Sequence, residues 1–524
     1  MCRTSDHLTP LCAQPFHRSK GQFIATRPPG LPAAPPPGRQ DPHARHRARP
    51  PVVFPTRHSS VTILRMPLID RTDTRPVHFI GVAGAGMSAL AELLVRRGMA
   101  VTGCDQNAGG TGDLECAGVP VAAGHDPAHI DGARAAVYTS AMPRDHPELA
   151  RARTLGVPLV RRAEALAECC AGGTLVGIAG THGKSTTTVM TTDALTAAGL
   201  SPTGVVGARV TAWGGNLKYG GESVFVVEAD EYDRSFLALW PQVAVVTNVE
   251  ADHLDIYADL ADITRAFAEF VGRARWVVLC ADDAGANALP TPATSEVIRY
   301  GITSPDARLR AVNVRSVDGG TTFDVEFDGK PAGVVSLPLP GDHNVRNALA
   351  ALAVGIGTYG LKVAQMAPGL ATLAGAERRF QRLGAERGVE LVDDYAHHPT
   401  EIRATLSAAR AAFEGRRLVA CFQPHLFSRT RDFAREFAEA LAAADVLFLC
   451  DIYPAREQPM PGVTSQLIAD HLAAAGRVPT WMGPRAEVAG ALAPLVRAGD
   501  VVITIGAGDI TKTGAELRQL LANG

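Results

Sequence analysis

The sequence predicts an α/β fold built in three successive blocks, each a mostly parallel sheet covered by helices. Three observations carry this. From Val77 onward, short β-rich apolar runs alternate with helical stretches. At 524 residues the chain has room for about three domains of roughly 150 residues each. Two of the blocks open with a strand that runs straight into a glycine-rich turn and then a helix.

The first block opens with the apolar run 77–82 and is set at 76–168. The second opens with the strand 174–179, is set at 174–373, and contains a β-rich insertion over 309–339 with a turn signal at Asp318-Gly319-Gly320. The third is set at 374–524, with strands expected at 418–422, 446–450 and 501–505. No fixed-period repeat is present, which argues against a solenoid. Residues 1–65 stand apart: rich in Pro and Arg, nearly free of acids and without apolar periodicity. They read as a disordered leader, as an organelle transit peptide, or as upstream of a true start at Met66, the last being preferred.

Composition narrows the function classes. Hydrophobic residues make up 46% and charged residues 20%, as in ordinary globular proteins. A net charge of -2 supplies no whole-protein field toward nucleic acid or an anionic membrane. No apolar run reaches the roughly 18 residues of a spanning helix. Nine scattered cysteines without CxxC spacing read as free thiols in a reducing compartment.

In the first block, the strand 77–80 enters Gly81-Val82-Ala83-Gly84-Ala85-Gly86-Met87-Ser88. Such a turn lets a backbone approach a pyrophosphate, and the following helix offers free N–H groups. The next strand ends at Asp105, about 20 residues on, where a carboxylate could hold a sugar hydroxyl. The glycines read G-x-x-G-x-G, not G-x-G-x-x-G, so this block implies a dinucleotide or nucleotide-sugar domain, with a purely structural turn as the alternative.

The second block is sharper. Its strand enters Gly180-Thr181-His182-Gly183-Lys184-Ser185-Thr186-Thr187. Amides facing an anion, a lysine for the terminal phosphates and a hydroxyl for Mg²⁺ are the parts of a nucleoside triphosphate site. The threonine-heavy helix that follows is poor by propensity, which suggests hydroxyls kept for reasons other than helix stability. Acidic clusters follow at two strand ends, Glu228–Glu231 and Asn248–Asp255, where parallel sheets bind ligands.

Gly180–Thr187, Glu228–Glu231, Asn248–Asp255, Gly341–Ala348 and Asp393–Glu401, in that order, resemble the Mur ligase family over roughly residues 76–515. His78-Phe79-Ile80-Gly81 leading into Gly86-Met87-Ser88, Asp394–Pro399, Phe422–His425, Ser428–Arg431 and Gly506–Ile510 resemble its alanine-adding branch. The tripeptide-recycling branch is the alternative. The resemblance implies an N-terminal Rossmann-like nucleotide-sugar domain, a central P-loop ATPase-like parallel-sheet domain and a C-terminal Rossmann-like domain for the amino acid. It further implies a cytoplasmic ligase of peptidoglycan precursor synthesis, monomeric or a weak homodimer, needing neither nucleic acid nor membrane. Its substrates would be UDP-N-acetylmuramate, L-alanine and ATP, with Mg²⁺, joined through an acyl phosphate.

The same resemblance implies the site. Gly81, Gly84, Ala85, Gly86, Met87, Ser88, Asp105 and Ser140 would bind the UDP-sugar. Gly180, Thr181, His182, Gly183, Lys184, Ser185 and Thr186 would bind ATP, together with Asn248, His343, Asn344, Asn347, Arg379 and Asp394. Lys184, Glu228, His253, His398 and Arg429 would be catalytic, and Tyr395 would stand near the amino acid. Ser185 and Glu228 would hold one Mg²⁺, and Glu228 with His253 a second. Two departures bear on this. No lysine lies between Lys218 and Lys330, where sibling enzymes place a carbamoylated one, and Leu426 stands where some relatives have a basic residue.

Overall fold

A computed structural model describes residues 68–523 apart from 108, 110 and 374; the reading of residues 1–65 falls outside them. The fold is α/β, with three sheets in chain order. The first comprises β1 (Val77–Ile80), β2 (Val101–Asp105), β3 (Val121–Ala123), β4 (Ala135–Tyr138) and β5 (Leu159–Arg161), arranged β3-β2-β1-β4-β5 and parallel throughout. Strand β1 sits at the point where the order reverses, so the glycine turn after it opens into the crevice such a reversal creates.

The central sheet has ten strands: β6 (Thr174–Ala179), β7 (Thr203–Val210), β8 (Gly215–Lys218), β9 (Val224–Glu228), β10 (Val243–Val246), β11 (Trp276–Cys280), β12 (Glu296–Gly301), β13 (Leu309–Val317), β14 (Gly320–Phe327) and β15 (Lys330–Leu337). Their order is β15-β14-β13-β12-β11-β10-β6-β9-β7-β8, parallel from β7 through β13. Strand β6 is flanked by β9 and β10, again at a reversal. The interior strands β9 and β10, with the runs VFVV and VAVV, are buried on both faces, which is why they show no polar alternation. The expected insertion is the antiparallel tail β13-β14-β15. Its hairpins turn at Asp318-Gly319 and Asp328-Gly329, where both residues of each pair have positive φ, the geometry of the tight turn that matches strand twist.

The third sheet runs β16 (Gln381–Glu386), β17 (Val389–Asp394), β18 (Leu418–Phe422), β19 (Val446–Cys450), β20 (Trp481–Gly483) and β21 (Val501–Ile505), in the order β16-β17-β21-β18-β19-β20, antiparallel only at β16–β17. The helix Ala85–Arg96 packs against β7 and β8, so one hydrophobic core runs from the first sheet through the central one. The third sheet has separate cores on its two faces. Among the described residues no helix is long and apolar enough to cross a membrane.

Candidate active site

The C-terminal ends of β6, β9 and β10 converge on the turn 180–183. Gly180 has φ +136° and a Cβ there would stand 1.9 Å from Thr247 Oγ1; only glycine fits. Gly183, at φ +83°, starts the helix Lys184–Ala197. The turn is tied down from β10: Thr247 Oγ1 and Asn248 Nδ2 donate to the His182 carbonyl (2.6 and 3.1 Å), and the His182 amide donates to Asn248 Oδ1 (2.7 Å).

Lys184 Nζ donates to the Gly180 carbonyl (2.8 Å) and the Thr181 carbonyl (3.2 Å), and lies 2.8–2.9 Å from both Glu231 oxygens. Burial works against its charge, but Glu231, Asp230 and Glu228 outweigh it and push the amine up. Ser185 Oγ donates to Glu228 at 3.0–3.1 Å, and Glu228 also accepts from the Gly207 amide (2.7 Å). A hydroxyl and a carboxylate side by side are hard oxygen donors of the kind Mg²⁺ takes. His253 Nε2 faces Glu231 Oε1 at 3.5 Å, so His253 is paired with Glu231.

The threonine-rich helix divides its hydroxyls: Thr186 lines a cavity beside the turn, and four others turn to the helix itself. Thr188, Thr191, Thr192 and Thr196 each donate to the carbonyl four residues earlier at 2.7–2.9 Å. The helix is buried, and these hydroxyls serve their own backbone.

Beside the turn lie two cavities. One of about 260 Å³ is lined by Gly183, Thr186, Asn248, His343, Asn344, Asn347, Arg379 and Asp394. Burial pushes His343 down to about 4, keeping its imidazole neutral. Asp394 accepts from the amides of Phe380 (2.7 Å) and Ala396 (2.8 Å), and burial pushes its carboxyl up to about 6.

The other, about 740 Å³, gathers all three blocks: Ala85, Gly86 and Ser88 from the first turn, Thr181, His182, Gly183, Lys184 and Ser185 from the second, and Tyr395, His397 and Arg429 from the third sheet's loops. Glu228 and His253 also face it. Arg429, almost wholly buried, forms an ion pair with Asp252. His398 is not among the described residues lining either cavity. Its ring packs 4.7 Å from that of His182, its Nδ1 caps the helix Pro399–Ala412, and burial with the neighbouring His182 pushes it down to about 4.

In the first turn, Ala83 donates its amide to Asp105 Oδ2 (3.0 Å), so this carboxylate braces the loop. Met87 buries its side chain in the core, and Ser88 Oγ donates to the Ala85 carbonyl (2.9 Å). Gly81, Gly84, Asp105 and the exposed Ser140 are not among the described residues lining the large cavity.

Glu231, Glu250 and Glu401 fall inside the motifs quoted from the sequence, which gave none of the three a role of its own. His182 Nδ1 lies 3.2 Å from Glu401 and its Nε2 3.7 Å from Glu250; burial opposes its charge, but Glu401 and Glu250 raise it to about 9. Glu401 was findable, because it stands three residues after His398 in a capping-box spacing. Which acid of Glu228–Glu231 meets the lysine is decided by the chain's turn after β9, which a one-dimensional pattern does not carry.

Residues 76–174 match the family described as Mur ligase family, catalytic domain; 178–355 match the Mur ligase middle domain; and 378–508 match the Mur ligase, glutamate ligase domain. The UDP-N-acetylmuramate–L-alanine ligase of Paenarthrobacter aurescens is 47% identical over 456 residues, 85% of this chain and 97% of that protein. The enzyme of the same name from Salinibacter ruber is 43% identical over 455 residues, 86% and 95% of the two chains. Among solved structures, a UDP-N-acetylmuramate-alanine ligase from Thermotoga maritima superimposes with a TM-score of 0.73 at 27% identity, covering 86% of this chain and 99% of that one. A murein peptide ligase from Psychrobacter arcticus gives 0.64 at 25%, covering 86% and 99%. With all three sheets matched in order and nearly the full length of these relatives covered, the chain belongs to the Mur ligase family.

Proposed function

We propose that this chain is an ATP-dependent ligase that joins L-alanine to UDP-N-acetylmuramate. The observation that carries the reading is the 740 Å³ cavity, where the first glycine turn, the lysine-bearing turn and Arg429 face one space. Relatives of 43–47% identity that bear this activity in their names support it.

In this reading, domain 76–168 holds the nucleotide sugar, 174–373 the ATP and 374–524 the amino acid. Adenosine lies in the smaller cavity against His343, Asn344 and Asn347, with Arg379 toward the phosphates and Asp394 at the ribose. The lactoyl carboxylate attacks the γ-phosphorus, ADP leaves, the alanine amine attacks the acyl carbon, and phosphate departs as the amine gives up a proton. Two anions must approach, so the Lys184 amine has to turn from Glu231 to the phosphates. Ser185 and Glu228 would hold a Mg²⁺, which when bound supplies charge to screen the phosphate oxygens. His253, which lines the same cavity as Glu228, would serve a second ion in place of its pairing with Glu231. Arg429 presents the planar fork that suits an amino-acid carboxylate, whereas His398 acts through His182 as a positioning residue.

The test is ADP release by the purified full chain with UDP-N-acetylmuramate, Mg²⁺-ATP and L-alanine, each omitted in turn. Release that needs all three is the expected result. Release only when a tripeptide replaces L-alanine would move the chain to the recycling branch, and no sugar-dependent release would overturn the reading.

A further inference from the structure

The face of the first sheet that does not pack on the central one carries a second concentration of ligating side chains, beneath the helix Pro147–Leu155. Glu148, in that helix's first turn, is fully buried. His129 Nδ1 lies 2.8 Å and Cys104 Sγ 3.1 Å from its Oε1, and His78 Nε2 is 4.0 Å from the same oxygen. His78 Nε2 and Cys104 Sγ are themselves 3.4 Å apart. On the other oxygen, His125 Nδ1 stands at 3.1 Å and His146 Nδ1 at 3.8 Å. The ligand atoms of His78, Cys104, His129 and Glu148 all lie within 4.8 Å of one another.

We propose that His78, Cys104, His129 and Glu148 form a binding site for a zinc-class divalent ion, separate from the ligase's Mg²⁺. Bonds of 2.0–2.3 Å in a tetrahedron set ligand atoms about 3.3–3.6 Å apart; the four separations given above, 2.8–4.0 Å, bracket that, and every pair lies within 4.8 Å. Two imidazoles, one thiolate and one carboxylate are a borderline-soft set that selects zinc over magnesium or calcium. The outer partners are also in place. Thr102 Oγ1 sits 2.9 Å from His78 Nδ1, leaving Nε2 for the metal, and His125 engages the carboxylate's free oxygen. On binding, the Cys104 proton passes to solvent and the sulfur coordinates as thiolate, so uptake strengthens with pH.

The placement gives the site a role. His78 lies three residues before Gly81, and Cys104 directly precedes Asp105. An ion there pins together the ends of β1 and β2, which carry the first glycine turn and the carboxylate that braces it.

The test uses the full chain purified without a histidine tag, analysed for metals as isolated, then stripped and titrated with cobalt(II) and zinc. Expected are one tightly bound zinc and, with cobalt, a thiolate-to-metal charge-transfer band that Cys104→Ser removes. Glu148→Gln and His129→Ala should each weaken zinc binding by about 100-fold or more, beyond the roughly 10–100-fold that loss of an outer partner costs. The histidine–glutamate group His182, Glu250 and His398 holds no cysteine, so cobalt there gives no such band. The wild-type spectrum does not depend on any variant folding. No thiolate band in the wild type, or zinc uptake that is the same in Cys104→Ser, Glu148→Gln and the wild type, would overturn the proposal and leave a hydrogen-bonded carboxylate cage.

Discussion

The turns 81–84 and 180–183 are built alike and are held differently. Each follows a fully or nearly fully buried strand at a sheet's reversal point and leads into a helix. The first is braced by one carboxylate, Asp105, and its helix carries no charge in the opening turn. The second is fastened by Thr247 and Asn248, carries Lys184 as its first helical residue, and is ringed by Glu228, Glu231, Glu250 and Glu401. In the proposed reading the same local architecture serves two anions of different demand. A bound pyrophosphate needs only amides and a dipole, whereas phosphoryl transfer needs movable charge held ready by counter-charge.

The largest effect that would sharpen this contrast is at Lys184. Lys184→Ala should cost about 10³-fold or more in ADP release while calorimetry still shows UDP-N-acetylmuramate binding; near-normal turnover would dissolve the distinction between the turns. Next come the glycines. Gly180→Ala collides with Thr247 at positive φ and should cost roughly 2–4 kcal/mol in stability. Gly84→Ala, at φ -62° with 3.6 Å to its nearest neighbour, should cost under about 1 kcal/mol. Equal melting shifts for the two variants would show that the fastening matters less than the geometry indicates.

The third effect is a pH dependence confined to the second turn. His182 is raised from 6.5 to about 9 in the folded chain, so its charged form is favoured there. The associated stability, roughly 1–3 kcal/mol, is full below pH 6.5 and is lost as pH rises toward 9. Denaturant titrations between pH 6.5 and 9.5 should show this decline, with Glu401→Gln flattening it; an identical decline in that variant would assign it elsewhere. The smallest is Asp105→Asn, which should raise the KM for UDP-N-acetylmuramate a few-fold, worth about 1 kcal/mol, with kcat nearly unchanged. A fall in kcat instead would mean that the first turn also shapes the chemical step.

Most of the fold was legible because its strands are short apolar runs ending in turn chemistry. The runs 77–80, 174–179 and 501–505 coincide with β1, β6 and β21, and Asp318-Gly319 turns the hairpin it announces. The residues that gather at the second turn were legible for the same reason: Lys184 and Ser185 follow a glycine that a tight turn requires. What stayed hidden depends on side chains meeting across long separations. Glu250 meets Thr400 at 2.7 Å, a contact that spans 150 residues. Composition does not say which way the hydroxyls of the helix Lys184–Ala197 turn: Ser185 and Thr186 face the site, and four threonines bond their own backbone. Met87 sits in a glycine motif yet belongs to the core, since a helix's first turn has an inward face as well as an outward one.

If Arg429 takes the amino-acid carboxylate as proposed, its buried pairing with Asp252 has a consequence for how tightly that amino acid can bind. A guanidinium already out of water and already paired offers an incoming carboxylate an exchange of partners, not a fresh attraction. The affinity is then the difference between two ion pairs, and Asp252, held well below the usual carboxylate range against its burial, is a strong competitor. On that reading the site would stay weakly occupied until Asp252 gives up the guanidinium. The chain would thereby keep its amine nucleophile waiting, in equilibrium with solvent, until an activated carboxyl is present to receive it.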